Sequence, residues 1–88
     1  MLIPVYTKQF NKDIKKLKGA NKKFEKLKYT ITKLINGERL EHKYLVHKLA
    51  GNYKGRRECH IEADWLLIYK IEDENIIFER TGSHSELF

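Results

Sequence analysis

The spacing of the apolar residues changes midway along the chain, from a helical period to a strand period. Between residues 10 and 35, apolar side chains recur at intervals of three and four, which is the spacing of one buried helix face. Beyond Gly51 they alternate with polar residues or run without interruption, as in strands. Helices that come before a group of strands pack together against one sheet. The sequence therefore predicts an α+β fold of two layers, in a single domain that spans residues 1–88.

The first helix is expected to follow a short N-terminal strand. Residues 2–6 are apolar and include Pro4, which cannot donate a hydrogen bond to a strand ladder and therefore favours the edge of a sheet. Thr7 is the expected N-cap of the helix, and Gly19 is expected just beyond its end. The stripe that this helix buries is predicted to consist of Phe10, Ile14 and Leu17.

A second helix is expected between Asn21, a candidate cap, and Gly37. Two short helices with a brief connection form an antiparallel helical hairpin, whose outer faces carry nearly all the lysines. The apolar stripe of the second helix is predicted to consist of Phe24, Leu27, Ile31, Leu34 and Ile35.

Three strands are predicted in the second half of the chain. A polar connection at 38–48 and a turn at 49–52 lead into them. The first strand, 53–61, is polar on one side, whereas the second, 65–71, is almost continuously apolar and is expected to be covered on both faces. The third strand is 76–80, and the connecting turns are 62–64 and 72–75. The three strands therefore form an antiparallel meander.

The positive charge is concentrated in the first two-thirds of the chain. Residues 1–33 carry ten lysines and two acids (+8), residues 34–60 six cations and three acids (+3), and residues 61–88 two cations and seven acids (−5), which together make the net charge of +6. This distribution predicts a polyanionic partner, either nucleic acid or an acidic protein. The competing interpretation is a solvated, lysine-rich helix face.

Composition argues against several classes of protein. No run approaches the roughly 20 apolar residues of a membrane span, and the first ten residues lack the apolar core of a secretory signal. Cys59 is the only cysteine, so it can form no internal disulfide, and no zinc site is expected. We expect an intracellular protein in which Cys59 is buried in a strand.

Two histidines and an aspartate are predicted to meet at one end of the sheet. The first and third strands of a meander run in the same direction, so both end at the edge where the turn into the central strand lies. This arrangement brings together His60, Asp64 and His84, with Trp65 beside the aspartate. The connection that carries His47 is expected to fold over them.

Such a cluster suits the cleavage of RNA through the ribose 2′-hydroxyl. One group removes the 2′-proton, a second protonates the leaving 5′-oxygen, and a fixed cation offsets the charge of the phosphorane. Imidazoles transfer protons near neutral pH, and a carboxylate can set their tautomer. Arg80 and Arg57 are the candidate cations. This chemistry requires neither a metal ion nor another cofactor.

Each candidate also has a purely structural interpretation. A histidine at a strand end is usually a surface residue, and Asp64 is a typical turn former. Trp65 suits either the core or stacking on an unpaired base. Phe88 suits either packing or contact with substrate, and His42 is assigned to solvent.

Three segments of the second half resemble a known family in order and spacing. They are Leu-Ala-Gly-Asn-Tyr-Lys-Gly-Arg-Arg-Glu-Cys-His-Ile at 49–61, Asp-Trp-Leu-Leu-Ile-Tyr-Lys at 64–70 and Arg-Thr-Gly-Ser-His-Ser-Glu-Leu-Phe at 80–88. Together with the lysine-rich hairpin, they make essentially the whole chain resemble the YafQ-type branch of the RelE/ParE toxin superfamily. The resemblance implies a bacterial type II toxin: an mRNA interferase, or endoribonuclease, that cuts messages inside translating ribosomes and is silenced by a cognate antitoxin.

The resemblance also implies where the active site lies. Six family positions are matched in this chain, namely His47, His60, Asp64, Trp65, His84 and Phe88. The chain departs from the family pattern at Ala63 and Lys48, where prolines occur in relatives, and we expect these changes to affect loop stiffness rather than chemistry.

The resemblance does not by itself divide acid from base. We expect His84 to be the general acid, His47 or Asp64 the base, and His60 and Arg80 the groups that contact the phosphate. The helical lysines are expected to hold ribosomal RNA, in the bacterial cytoplasm and away from membranes. Two alternatives stay open: a non-catalytic nucleic-acid-binding module, and a ParE-like toxin directed at gyrase, against which the histidines argue.

Overall fold

The computed structural model of the chain describes residues 1–20, 23–41, 44, 46–48 and 55–88, with the backbone alone at 47 and 48. One sheet has the strand order β1-β5-β4-β3-β2, in which β1 is parallel to β5 and the other neighbours are antiparallel. The predicted N-terminal strand, helical hairpin and meander are confirmed. The elements are β1 (Ile3–Tyr6), α1 (Lys8–Gly19), α2 (Phe24–Ile35), β2 (His47–Lys48), β3 (Arg57–Glu62), β4 (Trp65–Glu72), β5 (Asn75–Gly82) and α3 (His84–Leu87).

Two elements go beyond the predicted order. The short strand β2 lies inside the expected polar connection, where His47 pairs with Glu58 of β3. The single turn of helix α3 follows β5 directly. The predicted turn at 49–52 and the candidate cap Asn21 lie outside the described residues. β2 forms by pairing with β3, which hydrophobic periodicity does not report, whereas α3 begins with a local capping signal, Ser83 with Glu86 three positions later.

The helix ends agree with the predicted caps at one position and differ at others. Thr7 is the N-cap of α1, and its hydroxyl accepts the backbone N–H of Phe10 at 3.0 Å. Gly19 is the last residue of α1 rather than the residue beyond it, and Ala20 is the C-cap. Lys23 is the N-cap of α2 and forms no side-chain capping hydrogen bond. A C′ residue lies two positions after the last helical residue, so the prediction of Gly19 as C′ is wrong by two positions.

A glycine with positive φ ends α2. Gly37 has a φ of 71°, in the left-handed region that glycine adopts without steric cost. Its N–H donates to the carbonyl of Leu34 at 3.1 Å, and the N–H of Glu38 donates to Lys33 at 3.0 Å. This pair of bonds is the Schellman arrangement, and it confirms the predicted end of the second helix.

Pro4 protects the exposed edge of the sheet, as the sequence predicts. The N–H groups of Ile3 and Thr7 donate to carbonyls next to or within β5, at 2.8 and 3.2 Å. Alternate residues of a strand present their backbone groups to opposite sides, so position 4 faces away from β5. Because proline has no N–H, the outer row of β1 lacks a donor there, which discourages pairing with another chain.

The sheet is covered on both faces, which explains the continuous apolar run of β4. On one side, called here the hairpin face, Trp65, Leu67 and Tyr69 pack with buried residues of α1 and α2. On the opposite side, the α3 face, Leu66 and Ile68 pack against Leu87 of α3. In the described part of the chain, no helix has the length and apolarity needed to span a membrane.

Cys59 is fully buried on the hairpin face, as expected. Burial penalises the thiolate and raises the pKa of the thiol to about 12. A thiol that stays protonated is a poor nucleophile, so this cysteine serves as a small apolar core residue.

Candidate active site

Two histidines and an aspartate meet at one end of the sheet. His60 is near the end of β3, Asp64 is in the turn before β4, and His84 is the first residue of α3. The rings of His60 and His84 have centroids 5.7 Å apart. The meeting of these three residues, which the sequence predicted from strand direction, is what the structure shows.

One carboxylate oxygen holds His84 by two contacts. Oδ1 of Asp64 accepts the backbone N–H of His84 at 2.9 Å and lies 2.8 Å from its Nδ1. An ionised carboxylate can only accept, so Nδ1 carries the proton in this hydrogen bond. The other ring nitrogen, Nε2, is therefore left to exchange a proton with a substrate.

Helix α3 is held in place by a capping box at its N-terminus, by one ion pair and by one apolar contact. Ser83 and Glu86 form a capping box, in which each side chain bonds the backbone N–H of the other. Glu86 also pairs with Lys16 of α1 at 2.8 Å. The hydrogen bond from Lys16, followed by that from the Ser83 backbone, lowers the pKa of Glu86 to about 2. The buried Leu87 fixes the other side of the turn.

Glu58 joins the cluster, although the sequence did not single it out. This glutamate is 4% exposed. A carboxylate oxygen of Glu58 and one ring nitrogen each of His60 and His84 all lie within 4.8 Å of one another. The signal was present in the sequence, because alternation along β3 puts residues 58 and 60 on one face. A carboxylate beside two imidazoles can serve as a base or, with them, hold a metal ion.

The two candidate arginines are not placed as the sequence suggested. Arg57 is paired with Tyr69 and lines a cavity beside Leu34, so it lies on the hairpin face, opposite His60. Arg80 donates from Nε and Nη2 to both carboxylate oxygens of Asp13, each at 3.0 Å. The structure therefore does not bring Arg57 to the cluster, and two donors of Arg80 are already occupied within the fold.

Trp65 and Phe88 have opposite environments. Trp65 is fully buried, and its Nε1–H donates to the hydroxyl of Thr81 at 2.9 Å. Stacking on a base needs an accessible ring face, so the structure supports the core interpretation of Trp65. Phe88 is 61% exposed, and its ring centroid lies 6.3 Å from that of His84. This ring is accessible to a substrate.

His47 lies one strand away from the cluster. Its backbone is paired with Glu58 across β2 and β3, which agrees with the expectation that its segment approaches the site. The side chain of His47 and the whole of His42 lie outside what the structure describes.

The comparison with known proteins agrees with the fold. The family model described as bacterial toxin of type II toxin-antitoxin system, YafQ, matches residues 3–88 of this chain. Over 84 residues the chain is 46% identical to the mRNA interferase toxin YafQ of Escherichia coli strain K12, an alignment that covers 94% of this chain and 91% of that protein.

Two solved structures extend the comparison. A copper-bound mutant toxin from Helicobacter pylori has 40% sequence identity and a TM-score of 0.95, with both chains fully covered. A chain of the E. coli DinJ-YafQ complex has 44% identity and a TM-score of 0.93, covering 100% of this chain and 99% of that one. The family model covers nearly the whole sequence, and these identities extend over nearly the whole of both partners. The chain therefore belongs to the YafQ family of toxins of bacterial type II toxin–antitoxin systems.

Proposed function

We propose that this chain is an mRNA interferase, an endoribonuclease that cleaves messages on translating ribosomes by acid–base catalysis. The observation that carries the proposal is the convergence of Glu58, His60 and His84, whose donor atoms lie within 4.8 Å of one another beside Asp64. Transfer of a proton from a 2′-hydroxyl and to a 5′-oxygen needs two titratable groups on either side of one phosphate, and this cluster supplies them.

His84 is the general acid in this scheme. Asp64 keeps the proton on Nδ1 and holds the ring in one orientation. The Nε2–H then protonates the leaving 5′-oxygen as its bond to phosphorus breaks. The 2′-oxygen forms the new bond to phosphorus, so the products are a 2′,3′-cyclic phosphate and a 5′-hydroxyl.

Glu58 is the base that the geometry supports best. Asp64 already accepts two hydrogen bonds from His84 through one oxygen, which suits an orienting role better than proton abstraction. The carboxylate of Glu58 lies on the same face as His60 and within reach of the same phosphate. His60 is then the group that contacts the phosphate and offsets its growing charge.

The outer faces of the hairpin supply a surface for ribosomal RNA. The exposed lysines there bind phosphates without reading sequence, while the cluster acts on the message. They are Lys8, Lys12, Lys15, Lys16, Lys18, Lys23, Lys26 and Lys28. Two of them are already paired with acids, Lys16 with Glu86 and Lys26 with Glu62. Through this surface, in our proposal, the chain acts on ribosomes in the cytoplasm.

A cognate antitoxin is the second partner that we propose. The E. coli relative has been solved in complex with DinJ. A protein that cleaves messages needs such control in the cell that makes it. The basic surface, the exposed Phe88 and the exposed side of α3 are accessible to such a partner.

The cluster also fits a transition-metal ion. Two imidazoles and a carboxylate are ligands that copper and zinc accept, and H. pylori relatives are described as copper-bound and metal-bound toxins. An ion held by Glu58, His60 and His84 would occupy the lone pairs that acid–base catalysis uses. We therefore propose that such an ion inhibits this chain rather than assisting it.

The test is cleavage of a defined message by purified chain and translating ribosomes, with cut sites mapped by primer extension. His84→Ala and His60→Ala should each lower cleavage by about 10²-fold or more, the contribution typical of an acid or base. His42→Ala is the matched control, because the sequence assigns this histidine to solvent. Full cleavage by both site variants would exclude the catalytic assignment and favour a binding module.

A further inference from the structure

Thr81 lies where α1, β4 and β5 meet behind the cluster. Its backbone N–H donates to Oδ2 of Asp13 at 3.1 Å. Its hydroxyl accepts the Nε1–H of Trp65 at 2.9 Å and donates to the carbonyl of Leu66 at 2.7 Å. Thr81 is 2% exposed, so these bonds form away from water. One residue thus joins three elements of the fold.

The elements joined by Thr81 are those that carry the acid and its partner. Trp65 follows Asp64 directly in the chain, and Thr81 precedes His84 by three residues. The bond between Thr81 and Trp65 therefore sets the separation of the two segments at their base. The Asp64–His84 contact spans the same gap at the surface.

The surface contact is too exposed to hold this geometry by itself. The side chains of His84 and Asp64 are 53% and 66% exposed. Exposed ion pairs contribute little free energy, because water competes for both partners. Buried, satisfied hydrogen bonds are stronger and hold one arrangement. Besides the capping box and Leu87, which hold α3 itself, the buried links beneath the Asp64–His84 contact therefore contribute to its precision.

Asp13 anchors this network to α1. Its carboxylate is 6% exposed. It accepts two bonds from the fork of Arg80, one from Gln9 and one from the backbone of Thr81. Paired bonds between a guanidinium and a carboxylate fix both distance and angle. The end of β5 is consequently tied to α1, the helix that carries Asp13 and packs on the hairpin face.

We propose that Thr81, anchored by Asp13 and bonded to Trp65, is a positioning residue that sets the orientation and tautomer of His84. Trp65 acts in the same way, through the backbone of Asp64, and not by stacking on a base. This inference rests on the proposed cleavage activity only for its kinetic readout. The orientation of His84 can be measured without any substrate.

The test compares Thr81→Val, which removes the hydroxyl at nearly constant volume, with Thr81→Ser, which keeps it. Thr30→Val is the matched control. Thr30 is also fully buried, and its hydroxyl donates to the carbonyl of Lys26 within α2. Trp65→Phe is a second probe of the same link, and it leaves no buried donor unpaired. Thermal melts, the kcat and KM of cleavage, and the imidazole ¹⁵N shifts of His84 are recorded for each variant.

Thr81→Val and Trp65→Phe should lower kcat by about tenfold or more with little change in KM, because small displacements of a reacting group are costly. The Nδ1 shift of His84 should move away from the protonated-nitrogen position towards a mixture of tautomers. Thr81→Ser, which keeps the hydroxyl, should retain the kcat and the Nδ1 shift of the unmodified chain. Thr30→Val should lower the melting temperature without affecting either one.

A purely structural role for Thr81 predicts a different pattern. The melting temperatures of Thr81→Val and Trp65→Phe would fall, while the kcat per folded molecule and the His84 shifts stayed as in the unmodified chain. That pattern would overturn the proposal. If His84→Ala itself retained cleavage, the proposed function would fail, but the shifts would still decide whether Thr81 positions His84.

Discussion

Replacing Asp64 by asparagine tests whether the Asp64–His84 contact serves catalysis. In the folded chain, Oδ1 of Asp64 accepts two hydrogen bonds from His84, at 2.9 Å from the backbone nitrogen and 2.8 Å from Nδ1. Asparagine keeps the shape and one acceptor oxygen, but it removes the negative charge that faces Nδ1. Its NH₂ group can also face Nδ1, which would favour the wrong tautomer.

The expected effects on stability and on rate differ in size. The two side chains are 66% and 53% exposed, so the change in folding free energy should stay below about 1 kcal/mol. The rate loses the fixed orientation of the acid and the fixed position of its Nδ1 proton. A general acid or base contributes about 10²–10⁴-fold to the rate. We expect kcat to fall by about 10²-fold, which corresponds to an increase of roughly 2.7 kcal/mol in the activation free energy.

The assay is ribosome-dependent cleavage of a defined message, with thermal melting measured on the same samples. Asp73→Asn is the matched control, because it removes one negative charge from an exposed position at the other end of β4. Asp73 has a φ of 55°, which asparagine also tolerates. Both variants raise the net charge equally, so attraction to RNA is the same. Equal cleavage by the two variants would refute the orienting role of Asp64.

The remaining predictions concern Phe88, Glu86 and metal ions. Phe88→Ala should reduce cleavage by about tenfold or more, because stacking on a base contributes about 1–3 kcal/mol. The melting temperature should hardly change, because the Phe88 side chain is 61% exposed. An equal loss of stability would show that Phe88 only packs against the fold. The pKa of Glu86 is lowered from its ordinary value of 4.5 to about 2. Its carboxylate therefore stabilises the fold fully at pH values above 4.5, and this contribution is lost as the pH falls towards 2. At pH 7, the free energy of unfolding of Glu86→Gln should therefore be lower than that of the unmodified chain by about 1 kcal/mol or less. The difference should vanish in acid, and a difference independent of pH would contradict the role of this carboxylate. Copper(II) should inhibit cleavage, and a copper chelator that spares magnesium should restore it; full activity with copper bound would contradict the inhibitory role.

Some of the site could be predicted from residue order because topology leaves little choice. Once strands 53–61, 65–71 and 76–80 form a meander, the ends of the first and third must meet the turn between the first and second. His60, Asp64 and His84 follow from that argument, and they do meet. Successive side chains along a strand alternate between the two faces of the sheet, so Arg57 lies on the face opposite His60. The sequence therefore contained the evidence against Arg57 as a neighbour of the histidines.

Other features depend on contacts between residues far apart in the chain. Arg80 is engaged by Asp13, which lies 67 positions away, and Trp65 bonds Thr81 across two strands. No local pattern reports whether an arginine will find a buried carboxylate or whether an indole will lie in the core. The roles that residue type and spacing suggested for Arg80 and Trp65 could therefore be assessed only from the tertiary structure.

The sequence by itself determined the two helices, the meander and the end of the sheet at which the histidines gather, because hydrophobic period and strand direction are local properties. Only the tertiary structure decided that Glu58 completes the cluster, that α3 packs on β4 through Leu87, and that Thr81 lies beneath the Asp64–His84 contact. Burial and hydrogen-bond partners are set by how layers pack, and packing joins residues that no periodicity connects.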